Sequence, residues 1–104
     1  MNTFQNNDIE IEITVTDSRT GSPIVYGSVS AATYRMTTMD RVTALVTKTV
    51  GSGVVIAADK IVVTLSQADT VQLNTVYYHE LQIVSGGKHS TVVSDNITFN
   101  ETVI

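Results

Sequence analysis

Apolar side chains recur at every second position in Ile9, Ile11, Ile13 and Val15, with Glu10, Glu12 and Thr14 between them. Successive side chains of an extended strand point to opposite faces, so this spacing buries one face and wets the other. The same period returns at Ile61, Val63 and Leu65, and again at Leu81 and Ile83. No run of ten or more residues has helical periodicity. The pattern therefore excludes a helical fold and predicts an all-β chain. Half-wet strands fit antiparallel sheets better than parallel ones, which are covered on both sides. Strand-like runs about every ten residues with turn signals between them point to a β-sandwich of about seven strands.

Along the chain, residues 1–7 are polar and Asn-rich and read as a flexible or partner-docking arm. Residues 8–104 read as one sandwich domain. Asp17 to Pro23 is a turn closed by the only proline. A strand is expected over Ser28–Thr37, with Ala32, Tyr34 and Met36 on its apolar face. Thr38 to Arg41 is a loop. Val42, Ala44, Val46 and Val50 alternate again, and Gly51-Ser52-Gly53 ends that element. Val54-Val55-Ile56 is a short strand, and Ala57 to Lys60 turns the chain into Ile61–Leu65.

The next stretch carries the clearest local signals. Ser66 is placed to cap a short helical turn near Ser66–Leu73, with Asp69 three residues on to complete a capping box. Tyr77, His79, Leu81 and Ile83 share the core face of a strand, and Tyr78, Glu80 and Gln82 share the other. Gly86-Gly87 supplies the positive φ of a tight hairpin. Val93, Ile97 and Phe99 mark the return strand, with a bulge expected near Asp95-Asn96.

Composition narrows the function. At 15% charged residues the surface is poor in charge and rich in Thr, Ser and Asn, which suits a protein covered by neighbours. A net charge of −4 with no basic stripe argues against nucleic-acid binding. The chain has no cysteine, so packing alone must stabilise it. The opening MNTFQNNDIE has neither a basic start nor an apolar run, so no signal peptide is expected, and no stretch is apolar enough for a membrane span.

The order VTLSQADTVQL, NTVYYHELQIVSGGK, STVVSDNITFNETVI resembles a family of small bacteriophage structural proteins. The preceding KTVGSGVVI and the opening DIEIEITVTDSRTGSPI extend the resemblance to about residues 8–104. It is similar in pattern to the N-terminal domain of phage baseplate upper proteins. Family members often carry glycine before the tyrosine strand, where this chain has Asn74-Thr75-Val76. The resemblance implies an immunoglobulin-like sandwich. It implies a non-enzymatic virion component, either a capsid decoration or cement protein or a tail or baseplate piece. Such a protein is made in the host cytoplasm, is not secreted, and meets capsid or tail proteins in many copies. The alternative is a host-surface or carbohydrate-binding module, which the absence of Trp and the scarcity of aromatics disfavour.

No catalytic, cofactor or metal constellation stands out. His79 and His89 flank the Gly86-Gly87 hairpin, but two ligands without a third make a poor site. Asp8, Glu10 and Glu12 read as a solvated strand face rather than a cation site. No serine has the setting of a nucleophile. Asn96-Ile97-Thr98 and Asn100-Glu101-Thr102 match the glycosylation sequon, which chance explains in a chain so rich in Asn and Thr. The expected partner contacts are Asn2, Phe4 and Asn6 on the arm, Tyr78 and Glu80 on the outer strand face, and Val103 and Ile104 at the apolar end. Tyr77 is the candidate for a tyrosine corner.

Overall fold

The structure, a computed structural model, describes residues 2–4, 7–16, 21, 24, 26–70, 73 and 75–100, with the backbone alone at Asn2, Phe4 and Asn100. Among them run eight strands: β1 (Asn2–Phe4), β2 (Ile9–Ile13), β3 (Val29–Thr37), β4 (Ala44–Val50), β5 (Gly53–Ile56), β6 (Ile61–Leu65), β7 (Val76–Ser85) and β8 (Lys88–Asn100). A single α-helical turn, α1 (Gln67–Thr70), and a 3₁₀ turn at Tyr26–Ser28 are the helical elements of the described residues. The chain is all-β, as its alternation predicts.

Backbone hydrogen bonds join the strands into one sheet of order β1-β8-β7-β3-β4-β5-β6-β2. The β1·β8 and β4·β5 pairs are parallel and the others antiparallel. The finer expectation of about seven strands in two antiparallel sheets differs from this single mixed sheet of eight. The sheet must curl. Its two edge strands, β1 and β2, are joined by residues 5–8 alone. Five Cα steps reach at most about 17 Å, whereas the edges of a flat eight-stranded sheet lie about 34 Å apart. Burial agrees. Tyr34, Met36, Leu81 and Ile97 are fully covered, as are Val54, Ile61, Val63 and Leu65, and all belong to one core. With no helical layer among the described residues to cover them, the two halves of the sheet cover each other.

The corner between the halves lies at residues 51–53. Parallel strands normally need a crossover of a dozen or more residues. Here Gly51 and Ser52 alone separate β4 from β5, so the chain steps from one half of the sheet to the other. Gly53 sits at φ 101°, and a Cβ there would lie 2.6 Å from Cδ of Lys48. The bare glycine lets the Lys48 stem cross it and bring Nζ 2.9 Å from Oδ2 of Asp69.

Asp69 also completes the expected capping box. Its backbone N–H donates to Ser66 Oγ at 3.3 Å, and its carboxylate accepts the Ser66 N–H at 2.8 Å. Partial burial pushes the Asp69 carboxyl up, but the bonds from Lys48 and Ser66 outweigh it and hold the group below the ordinary range. Asp69→Ala removes both the cap and the ion pair. It is expected to lower stability by about 1 kcal/mol, read from the denaturant midpoint. An unchanged midpoint would show that α1 contributes nothing.

Two further expectations change. The segment read as an arm is sheet over Asn2–Phe4, paired with Thr98–Asn100. Backbone groups pair whatever the side chains, and Asn2-Thr3-Phe4, with one apolar residue, is too short for an alternation to be read. Asn7 is tied down as well: Thr70, fully buried, donates its hydroxyl to the Asn7 carbonyl at 2.8 Å and accepts the Asn7 N–H at 3.0 Å. Deleting residues 1–7 removes the β1 pairing and both bonds between Asn7 and the buried Thr70 hydroxyl, leaving that hydroxyl only its 3.4 Å bond to the Gln67 carbonyl, and is therefore expected to lower the unfolding free energy by about 1–3 kcal/mol. An unchanged midpoint would restore the free-arm reading. The bulge in β8 lies at Val92, between the pairs Leu81↔Val93 and Gln82↔Thr91, while Asp95 and Asn96 stay in register with His79 and Tyr78.

Candidate functional site

The arrangement that stands out is the turn between β3 and β4 and the outer face of β7 beneath it. Residues 38–43 close the hairpin. The Thr38 N–H donates to the Thr43 carbonyl at 3.1 Å, and the Arg41 N–H donates to the Thr38 carbonyl at 2.8 Å. Asp40 braces the loop by accepting the Thr38 hydroxyl and, at 3.0 Å, the Val42 N–H. The Thr38 bond first, and then that of Val42, hold its carboxyl below the ordinary range.

Arg41 has φ 63°, a left-handed conformation that residues with a Cβ seldom adopt. Strain of this kind persists only where the surroundings enforce it, and here the braced turn does so. The consequence is placement. The Arg41 guanidinium carbon sits 4.1 Å from the centre of the Tyr78 ring, within cation–π distance. Below it, the Tyr78 hydroxyl lies 2.6 Å from Ser94 Oγ and donates to Glu80 Oε2 at 3.4 Å.

The outer face of β7 predicts a Tyr78 open to a partner, but only 8% of it is exposed. Arg41 lies over its ring. Strand parity assigns the outer face correctly; it is silent about a turn folding over that face. Glu80 is half-buried, between Arg35 of β3 and Ser94 of β8 in the ladder. Exposure lies on the turn instead, at Met39 (50%) and Val42 (74%). Of the six large apolar residues exposed among the described residues, Met39, Val42, Leu45, Val50 and Val55 fall within residues 39–55. The alternation of Val42, Ala44, Val46 and Val50 predicts one apolar face, but of that set only Val46 is buried. Asn6, Val103 and Ile104 lie outside the described residues, and Asn2 and Phe4 are placed as backbone in β1.

Inside the sheet, Tyr34 and His79 form a buried polar pair. The Tyr34 hydroxyl is 2.9 Å from Nδ1 of His79, and the rings meet edge to face at 5.7 Å. Burial pushes the Tyr34 hydroxyl well above its usual range. Burial also pushes the His79 imidazole down, partly offset by Asp95 opposite it on β8. The neutral forms are therefore held. His89 pairs with Val84, five residues along β7 from His79, or about 17 Å. The two histidines do not converge. Nor do the three N-terminal carboxylates: Asp8 accepts the Gln67 N–H at 2.6 Å, Glu12 pairs with Lys60 at 2.9 Å, and Glu10 is exposed. Among the described residues no group of three or more His, Asp or Glu side chains is placed to hold a metal. Tyr26 anchors backbone, its hydroxyl accepting the Val15 N–H at 2.8 Å. Tyr77 packs its ring edge against Phe99.

No protein-family model matches the chain, and no curated protein matches it. Sequence reasoning missed Arg41. The signal available was Thr38-Met39-Asp40, a side-chain-braced turn motif that places the following residue at a tight bend.

Proposed function

We propose that this chain is a non-enzymatic structural protein of a bacteriophage particle. It serves as a capsid decoration or cement protein, or as a tail or baseplate component, and it acts by contacts with capsid or tail proteins. The observation that carries this reading is the concentration of exposed apolar side chains on residues 39–55, presented by a braced turn. Apolar patches rimmed by polar residues mark protein contact sites, and a pre-ordered loop loses little entropy on docking. Arginine and methionine are side chains that interfaces favour, and the turn exposes Met39 and Arg41, the latter seated over the Tyr78 ring. The low charge and the order of segments in the phage resemblance support the same reading.

Co-sedimentation with purified particles of the phage that encodes the chain tests it. The wild-type protein should bind heads or tails saturably. Met39→Ser with Val42→Ser should weaken binding about tenfold or more, since two apolar contacts are lost, with the unfolding midpoint unchanged. Equal binding by the double variant would remove the turn as the contact. Binding to neither heads nor tails, with saturable binding to host cells or glycans instead, would replace the reading with the host-surface module.

A further inference from the structure

β8 is flanked by β7 along its length, but its other edge meets β1 only at Thr98–Asn100. Among the described residues no strand lies along the outer edge of Lys88–Ile97. That stretch, KHSTVVSDNI, has no proline, is rich in β-branched residues and is charged only at Lys88 and Asp95. An edge of this kind is a template for another strand.

We infer that this edge pairs with the same edge of a second copy of the chain, antiparallel about a two-fold axis between Thr91 and Val92. The charges choose the partner and the register. Lys88 then lies opposite Asp95 of the second copy, and the symmetric contact repeats at the other end. Neither residue forms an ion pair among the described residues. The bulge makes the faces agree. Lys88 and Asp95 are an odd number of positions apart, so in a regular strand they would face opposite ways. The extra residue at Val92 restores parity, and both lie on the side of β8 that holds Ile97, opposite Ser85 and His79. His89 and Ser94 share the other side, opposite Val84 and Glu80, and face each other in the pair. The bulge also divides the edge into two regular halves. Self-pairing sets the first half of each copy against the second half of the other, so both bulges meet at the axis and interrupt neither ladder. The inference goes beyond the proposed function and does not depend on a phage origin.

The full chain, which has no native cysteine, allows a direct test. Side chains directly opposite on antiparallel strands lie within disulfide reach. Mixing His89→Cys with Ser94→Cys protein under mild oxidation should give a mixed disulfide. His89→Cys mixed with Ser52→Cys, an exposed site at the distant corner, should not. Sedimentation equilibrium should show reversible dimers below about 1 mM, weakened several-fold by Lys88→Glu and regained when Asp95→Lys is added on the same chain. A monomer up to that concentration, or cross-linking no faster than the Ser52→Cys control, would overturn the pairing. Dimers indifferent to both charge changes would overturn the register.

Discussion

Leu81→Ala is expected to lower the unfolding free energy by about 2–5 kcal/mol, the range for a buried leucine truncated where the surroundings cannot collapse. Leu81 is fully buried at the middle of β7. It lies between Tyr34 of β3 and Val93 of β8 in the ladder. The rigid sheet on both sides limits relaxation, so the lost contacts are not regained. The same measurement checks register, because a one-residue slip of β7 would carry Leu81 to the outer face. A loss below about 1 kcal/mol, by chemical denaturation, would place the side chain at the surface.

Tyr34→Phe is expected to cost about 1–3 kcal/mol, although it changes one atom, because it leaves Nδ1 of His79 buried without its partner. An isosteric substitution at an exposed tyrosine would cost almost nothing, so the size of the loss reports the buried pair. The pair also predicts a pH dependence. Burial lowers the folded-state pKa of His79 below its unfolded value. Below that unfolded value, about 6.5, the unfolded chain binds more protons than the folded one. The stability His79 contributes is therefore complete above about 6.5 and is lost as the pH falls toward the lowered folded value. The Asp69 carboxyl, held low, adds a separate loss that begins only below about 4. A His79→Gln variant should lose the upper of these two phases and keep the lower. Equal pH profiles for wild type and variant would show that His79 titrates alike in both states.

Much of the fold is legible where burial and period coincide. β2 and β6 alternate in sequence as they alternate in burial, β7 does so from His79 to Ile83, and β3 buries Ala32, Tyr34 and Met36 as their spacing predicts. The capping box at Ser66 and Asp69 and the paired glycines of the β7–β8 turn are local chemistry, and local chemistry survives folding. What escapes is non-local. β1 is a parallel strand held by a partner some ninety positions away, and no pattern within three residues announces it. β4 reads as a buried strand but lies beside the corner, and of its valines Val46 is buried while Val50 is exposed. Strand parity places Tyr78 on the outer face, yet its cover comes from Arg41 across the β3–β7 ladder. The exposure of the apolar side chains on residues 39–55 is hidden from sequence for the same reason, since valine and methionine look like core until the neighbouring strands are placed.

The most direct test of the proposal that this is an assembled component of a virion is electron cryomicroscopy of intact particles of a phage that encodes the chain. The account predicts many symmetry-related copies of a curled, single-sheet domain seated on the capsid, tail or baseplate, with Met39, Arg41 and Val42 in the contact. Particles that lack this density in head and tail alike, while the protein is abundant in the infected cell, would contradict it.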